Sequence, residues 1–347
     1  MRIACACLFC LFTFSYLYFY QADIMAVGQH VLSGGQTSYN SLVGAVLITF
    51  MLFLLHWAVY SLTHLYTWIH ALTYFPSLLV LTILTDVSPS VDEHFSFGAW
   101  LWVAPLLLVV YAGMIWFSKQ IQQIKSVRSS GLFSNLMWVN VLTMTLMFFF
   151  VGIFSNHNDV FHYRMRMETL LLRGDYEKAL EVGKRSLATD SSLTMLRAYA
   201  LSRQGKLAER LFEYPLDGGS QALVPNGKSV KAMIFPAKKI ARFTKGRQAG
   251  KDYKLMALLL DKNLAAFVSQ LRTIYPTDSL LPKHYREALV LYNYLNKAPS
   301  VVYRNAALET DFHDFLVVRR KTTNPVLCQS LLRDTYGDTY WCYYAQP

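Results

Sequence analysis

Asp92-Glu93-His94 is the densest run of chemically able side chains in the sequence, with Asp86 close by. Carboxylates and an imidazole on one loop can hold a metal or take up a proton. Consecutive residues point in different directions, however, and no second set of ligands accompanies these. Loop solvation is the simpler account. His56, His64 and His70 lie in or beside apolar stretches, where an imidazole raises the question of proton or ion movement. No Asp, Glu or Lys shares those stretches, so they read as interfacial or hydrogen-bonded histidines. His284 and Glu287, with Arg286 between them, stand one helical turn apart, as surface polar residues routinely do. A nucleophile elbow, a P-loop, a dinucleotide fingerprint and paired metal ligands are all missing. The sequence therefore points to no cofactor and to no catalytic residue beyond the weak candidates Asp92, Glu93 and His94. Cys328 and Cys342 stand outside the apolar half and could form a disulfide or remain two thiols.

The elements that must position these residues are of two kinds. Residues 1–154 hold five apolar stretches, Ile3–Tyr20, Leu42–Ser61, Trp68–Thr85, Gly98–Phe117 and Phe133–Phe154, without an interior Lys, Arg, Asp or Glu. Each is near the ~20 residues that a helix needs to cross a bilayer. Aromatic residues such as Trp57, Trp68, Trp100 and Trp116 crowd their ends, where an interfacial belt would sit. Pro76 and Pro105 fall inside the third and fourth stretches, which membrane helices tolerate. The first stretch reads as a retained anchor, because only Arg2 precedes it and Gln21-Ala22-Asp23 makes a poor cleavage site.

The short flanks are lopsided. Arg2, Lys119, Lys125 and Arg128 fall on one side; Asp23, Asp86, Asp92 and Glu93 fall on the other. The positive-inside rule then predicts a cytoplasmic N-terminus, and five crossings predict an outward C-terminal domain.

Residues 155–347 read as a soluble helical domain. Of the chain's 33 basic and 22 acidic residues, all but four of each lie there, so the net charge of +11 belongs to this part. Nine basic residues against Asp252 fill Lys228–Lys254. This basic linker, 228–254, could rest Lys238, Lys239 and Arg242 on lipid headgroups or stay a solvated connection. The charge does not point to nucleic acid, because no recognition motif accompanies it. Gly174 and Gly205 punctuate two amphipathic pairs, with Tyr176 and Ala179 after the first and Leu207 and Ala208 after the second. Their spacing is close to the ~34-residue period of tetratricopeptide repeats. In this reading glycine lets paired helices pack closely, and Tyr176, Ala179 and Ala208 fill the seams. Asp261-Lys262-Asn263 and Pro276-Thr277-Asp278 supply later turns.

The run Leu259-Leu260-Asp261-Lys262-Asn263-Leu264, with Phe267 and Tyr275-Pro276, and then Leu281-Pro282-Lys283-His284-Tyr285-Arg286-Glu287-Ala288-Leu289, resembles the C-terminal part of a bacterial family, domain of unknown function 6057. That resemblance implies a multi-pass inner-membrane protein with a tetratricopeptide-like second half, and carries no known activity. The expectation is an all-α protein of about five transmembrane helices and a helical-repeat domain. The domain would be periplasmic and would meet a protein partner. The alternative is a membrane-embedded enzyme or carrier for lipid-linked substrates, with Asp92, Glu93 or His94 at its mouth.

Overall fold

A computed structural model of the chain describes residues 2–65, 67–93, 96–124, 135–247, 249–275, 280–321 and 324–346. The described residues are helical, without a strand. Two compact units divide them, Met1–Met165 and Arg166–Pro347. Among the expected features, His94, Lys125, Arg128 and the turn Pro276-Thr277-Asp278 lie outside the described residues.

The first unit contains α1 (Arg2–Ser15), α2 (Ala22–Leu32), α3 (Ser41–Thr63), α4 (Phe75–Thr85), α5 (Trp100–Ile124) and α6 (Asn135–Phe154). Among the described residues four helices are long and apolar enough to cross a membrane: Arg2–Tyr20, Ser41–Thr63, Trp100–Gln120 and Asn135–Phe154. The first is α1 continued by a π turn at Tyr16–Tyr20. Phe9, Leu52, Tyr74, Leu78, Met144 and Met147 fill the interior. Outward apolar side chains such as Phe50, Trp102, Trp116 and Phe149 stay exposed, the pattern of helices whose solvent is lipid.

Two expectations change here. The third stretch is not one continuous helix: a 3-10 segment, Thr67–Tyr74, precedes α4, and Pro76 sits in the first turn of α4. A proline ring clashes with the carbonyl four residues earlier and cannot donate to it. The α-helix therefore starts at the proline instead of running through it. Pro105, by contrast, lies inside α5. The second change is in Gln21–Ser41, read as a loop. It contains α2, which buries Ile24, Val27 and Gly28 on one face and carries Asp23 in its first turn, where a carboxylate suits the helix dipole.

The second unit continues α7 (Asp159–Arg173) into α8 (Tyr176–Glu181), α9 (Ser191–Arg203), α10 (Leu207–Arg210), α11 (Ala237–Thr244), α12 (Ala249–Leu260), α13 (Leu264–Ile274), α14 (Lys283–Leu295), α15 (Ala306–Lys321), α16 (Pro325–Tyr336) and α17 (Tyr340–Ala345). α9 is its axis, buried from Ser192 to Leu201. Helix follows helix through one recurrent turn. After α7 the N–H of Asp175 reaches Leu170 O at 3.0 Å, after α9 Lys206 reaches Leu201 O at 2.9 Å, and after α12 Asn263 reaches Leu258 O at 2.9 Å. The residue before each donor has positive φ: Gly174 (+80°), Gly205 (+69°) and Lys262 (+57°). This is the left-handed closure of a helix C-terminus.

The two glycines are thus needed for backbone conformation, not for close packing as the sequence suggested, since a Cβ at either meets nothing within 4 Å. Ala179 and Ala208 are buried in the seams. Tyr176 instead lies half-buried beneath Arg203, whose guanidinium carbon is 5.2 Å from its ring centre.

The basic stretch 228–254 is likewise no free linker. Phe235 and Phe243 pack on Tyr199 of α9, with ring centres 5.3 and 5.4 Å away. The buried Glu168 carboxylate accepts the N–H groups of Met233, Ile234 and Phe235 at 2.9, 2.6 and 2.9 Å. Side-chain anchoring of this kind fixes a segment whose backbone no helix ladder satisfies.

Candidate functional site

The first unit contains a cavity of about 640 Å³ between α2, α3, α4 and the start of α5. Ile24, Val43, Leu47, Ile48, Ile83 and Leu84 are among its apolar lining, while the polar Gln29, Ser33, Tyr39, Asn40, Asp86 and Ser88 come from the last turn of α2, the approach to α3 and the residues that follow α4. Asn40 and Asp86 are each placed by a local device. Asn40 caps α3, accepting the N–H groups of Leu42 and Val43 at 3.1 and 3.2 Å. Asp86 ends α4, and its Oδ2 accepts Trp100 Nε1 at 2.7 Å. Asn156 Nδ2 donates to Val87 O at 2.5 Å, and Gln21 Nε2 donates to Asn156 O at 3.1 Å. The Tyr16 and Ser155 hydroxyls also share a hydrogen bond. These polar ties hold the ends of α1, α4 and α6 together beside the cavity.

Among the described residues Asp86, and not Asp92 or Glu93, is thus the acidic group that lines the cavity. Asp92 and Glu93 occupy an exposed turn beyond Val91, which itself lines the wall. Among the described residues no three His, Cys, Asp or Glu side chains are grouped to hold a metal. Sequence reasoning missed Tyr39, Asn40 and Gln29, because the unremarked helix α2 brings them to the site.

His56 and His70 form a packed pair. His56 stacks on Tyr74 at 3.6 Å, and His70 stands edge-on 5.8 Å from His56. Thr73 Oγ1 donates its single proton to His70 O at 2.7 Å. Its 3.1 Å bond to His56 Nδ1 must then run from the ring, which places the proton on Nδ1. His64 closes α3 in a left-handed conformation, φ 50°.

In the second unit His284 and Glu287 are both buried, with Nδ1 2.9 Å from Oε2. The same carboxylate oxygen accepts the Tyr340 N–H at 2.8 Å, while Trp341 Nε1 donates to Glu287 O at 2.8 Å. Phe212 closes over the imidazole at 4.7 Å. This pair pins α17 onto α14. Arg286, between them in sequence, is only half-buried.

Two surface features remain. A groove of about 410 Å³ is lined by Leu187, Tyr214, Leu216, Arg333, Asp338 and Tyr343, among others. A shallower cleft of about 460 Å³ has Tyr199 and Phe243 in its floor and Arg203, Lys239, Arg242 and Arg247 at its rim. Lys238, Lys239 and Arg242 are exposed on α11, and among the described residues no carboxylate pairs with them.

Cys328 and Cys342 are both free. The Cys342 Sγ faces Leu332 O at 3.9 Å and that of Cys328 faces Arg319 O at 3.8 Å. The possible bridge is not made, because each thiol is turned to a different carbonyl. Burial pushes the Cys342 thiol up from its ordinary range.

A model of a family of unknown function, DUF6057, matches residues 93–241 and 237–347. No curated protein and no solved structure matches the chain.

Proposed function

The chain belongs to the DUF6057 family, and from that premise we propose that it is a multi-pass membrane anchor presenting a helical-repeat domain to a protein partner. The groove between Leu187, Tyr214 and the α16–α17 corner carries this reading. It is lined by more polar than apolar surface, with Phe212, Tyr214 and Tyr343 beside Lys184, Glu213, Arg333 and Asp338, on a scaffold of helical hairpins of the kind on which peptides and helices dock. The repeated left-handed turns at Gly174, Gly205 and Lys262 support a tetratricopeptide-like description. Four long apolar helices support the anchor, with α4 and its 3-10 extension as a fifth crossing. The backbone leaves helical geometry at Ile69, so residues 70–85 supply about 26 Å of helical rise, a little less than the ~30 Å hydrocarbon core. The charge of the short flanks supports an outward helical unit, which is periplasmic if the chain lies in the inner membrane that the family resemblance implies. Affinity capture of the full chain from solubilised membranes tests the partner. A stoichiometric partner that is lost with Arg333→Glu supports the reading; intact protein that repeatedly comes alone contradicts it.

The cavity at Asp86 favours a second reading, an enzyme or carrier acting on lipid-linked substrates at the outer face. It places a carboxylate among its apolar lining. Replacement of Asp86, Asp92 and Glu93 by Ala distinguishes the two. The second reading expects loss of function with the partner still captured; unchanged function contradicts it.

A further inference from the structure

The cavity of the first unit has two chemically different kinds of lining, and that difference identifies what fills it. Its volume, about 640 Å³, lies within the ~300–1,000 Å³ of ordinary ligand sites. Val43 and Leu47 line it and are also 58% and 54% exposed on α3. The hollow therefore opens sideways onto the same surface that faces lipid in a spanning helix. Apolar cavities exclude water, so the phase that enters from that side is hydrocarbon.

The polar lining is acidic and rich in acceptors. Asp86 has one oxygen engaged by Trp100 Nε1, which leaves the other to accept from an occupant. Gln29 adds an amide oxygen. Among the described residues no Lys or Arg lines the cavity, and the sequence segments 21–41 and 86–97 contain none, while they hold Asp23, Asp86, Asp92 and Glu93. A headgroup with net negative charge would meet the Asp86 carboxylate with no lysine or arginine among the described lining residues to offset it.

Tyr39 also lines the cavity. Its ring lies where a Cβ on Gly44 would stand, so the missing side chain at Gly44 lets the ring fold against the first turn of α3.

We propose that this cavity binds a membrane lipid whose headgroup presents N–H or O–H donors and no net negative charge. The acyl chain lies against Leu47, Ile48 and Ile83, and the headgroup donates to Asp86. The proposal deepens the second reading above by naming its ligand class, but it concerns binding alone. Binding without turnover would sink that reading and leave this one standing.

The test uses the full chain in bilayer nanodiscs made from equal parts of an ammonium-headed zwitterionic phospholipid and an anionic glycerol-headed one with the same chains. Native mass spectrometry then reads the lipids that survive detergent transfer. The expected result is one retained lipid, enriched in the ammonium-headed form by about fivefold, the scale of one partly exposed ion pair. Asp86→Asn should remove the enrichment, and Ile83→Trp should remove the retained lipid. Leu106→Trp, on the exposed face of α5, should change neither. If Ile83→Trp fails to fold, Gly44→Ala, which displaces Tyr39, should accelerate loss of the lipid. Enrichment of the anionic lipid, or equal retention by the wild type and the cavity variants, would overturn the proposal.

Discussion

The carboxylate of Glu168 holds three consecutive backbone N–H groups at a position with no exposure to solvent. Removing it strands those donors inside the second unit, so Glu168→Ala should cost about 3 kcal/mol. Glu168→Gln, which keeps one acceptor oxygen, should cost less. Thermal unfolding of the full chain in detergent checks both; equal, negligible shifts would contradict the anchoring role. Cys342 gives a second residue-scale expectation. Its raised thiol pKa means that the reactive thiolate is scarce at neutral pH and grows only as pH rises. With the cysteines of α1 replaced, maleimide at pH 7 should label Cys328 readily and Cys342 only after unfolding, with or without reductant. Labelling that requires reductant would restore the disulfide. At this scale the candidate site was only partly legible. Asp86 stood out as one acidic residue among several, but its indole partner Trp100 and its amide neighbours are set by folding. No spacing rule joins Gln29, Asn40 and Asp86.

The elements show why the helix pattern could be read in advance and its interruptions could not. Apolar runs free of charge announce the long helices, since only a helix satisfies its own backbone in hydrocarbon. The 3-10 segment before Pro76 depends instead on a distant side chain: Asn140 Oδ1 of α6 accepts the Ala71 N–H at 2.7 Å. Asn140→Leu should leave that donor bare and cost about 1–2 kcal/mol, measured by thermal unfolding in detergent. A neutral result would mean that the segment finds another acceptor. The helix-closing glycines were visible in sequence, but for the wrong reason. Their demand is positive φ, so Gly174→Ala and Gly205→Ala should each cost about 1 kcal/mol although open space surrounds them. Packing at the turn, had it been the reason, would make Gly→Ser far worse than Gly→Ala; left-handed strain predicts similar losses. The basic stretch misled in the opposite sense. Its charge suggested a solvated connection, whereas Phe235 and Phe243, spaced between the cations, secure it to Tyr199 of α9, and Ile240 is buried.

The whole molecule combines an apolar unit suited to a bilayer with a basic helical unit that carries nearly all the charged residues. In the proposed arrangement the first anchors the chain and cradles a lipid, and the second meets a partner beyond the outer face. Both roles rest on compartment, so the most direct measurement is accessibility from outside intact cells. The five native cysteines are replaced, and single cysteines are placed at Lys254 in the helical unit and at Lys119 near the end of α5. Both positions are then challenged with a membrane-impermeant maleimide able to cross only the outer envelope. An outward helical unit predicts labelling of Lys254→Cys in intact cells and of Lys119→Cys only after the membrane is opened. Labelling of Lys119→Cys in intact cells with Lys254→Cys protected would contradict it.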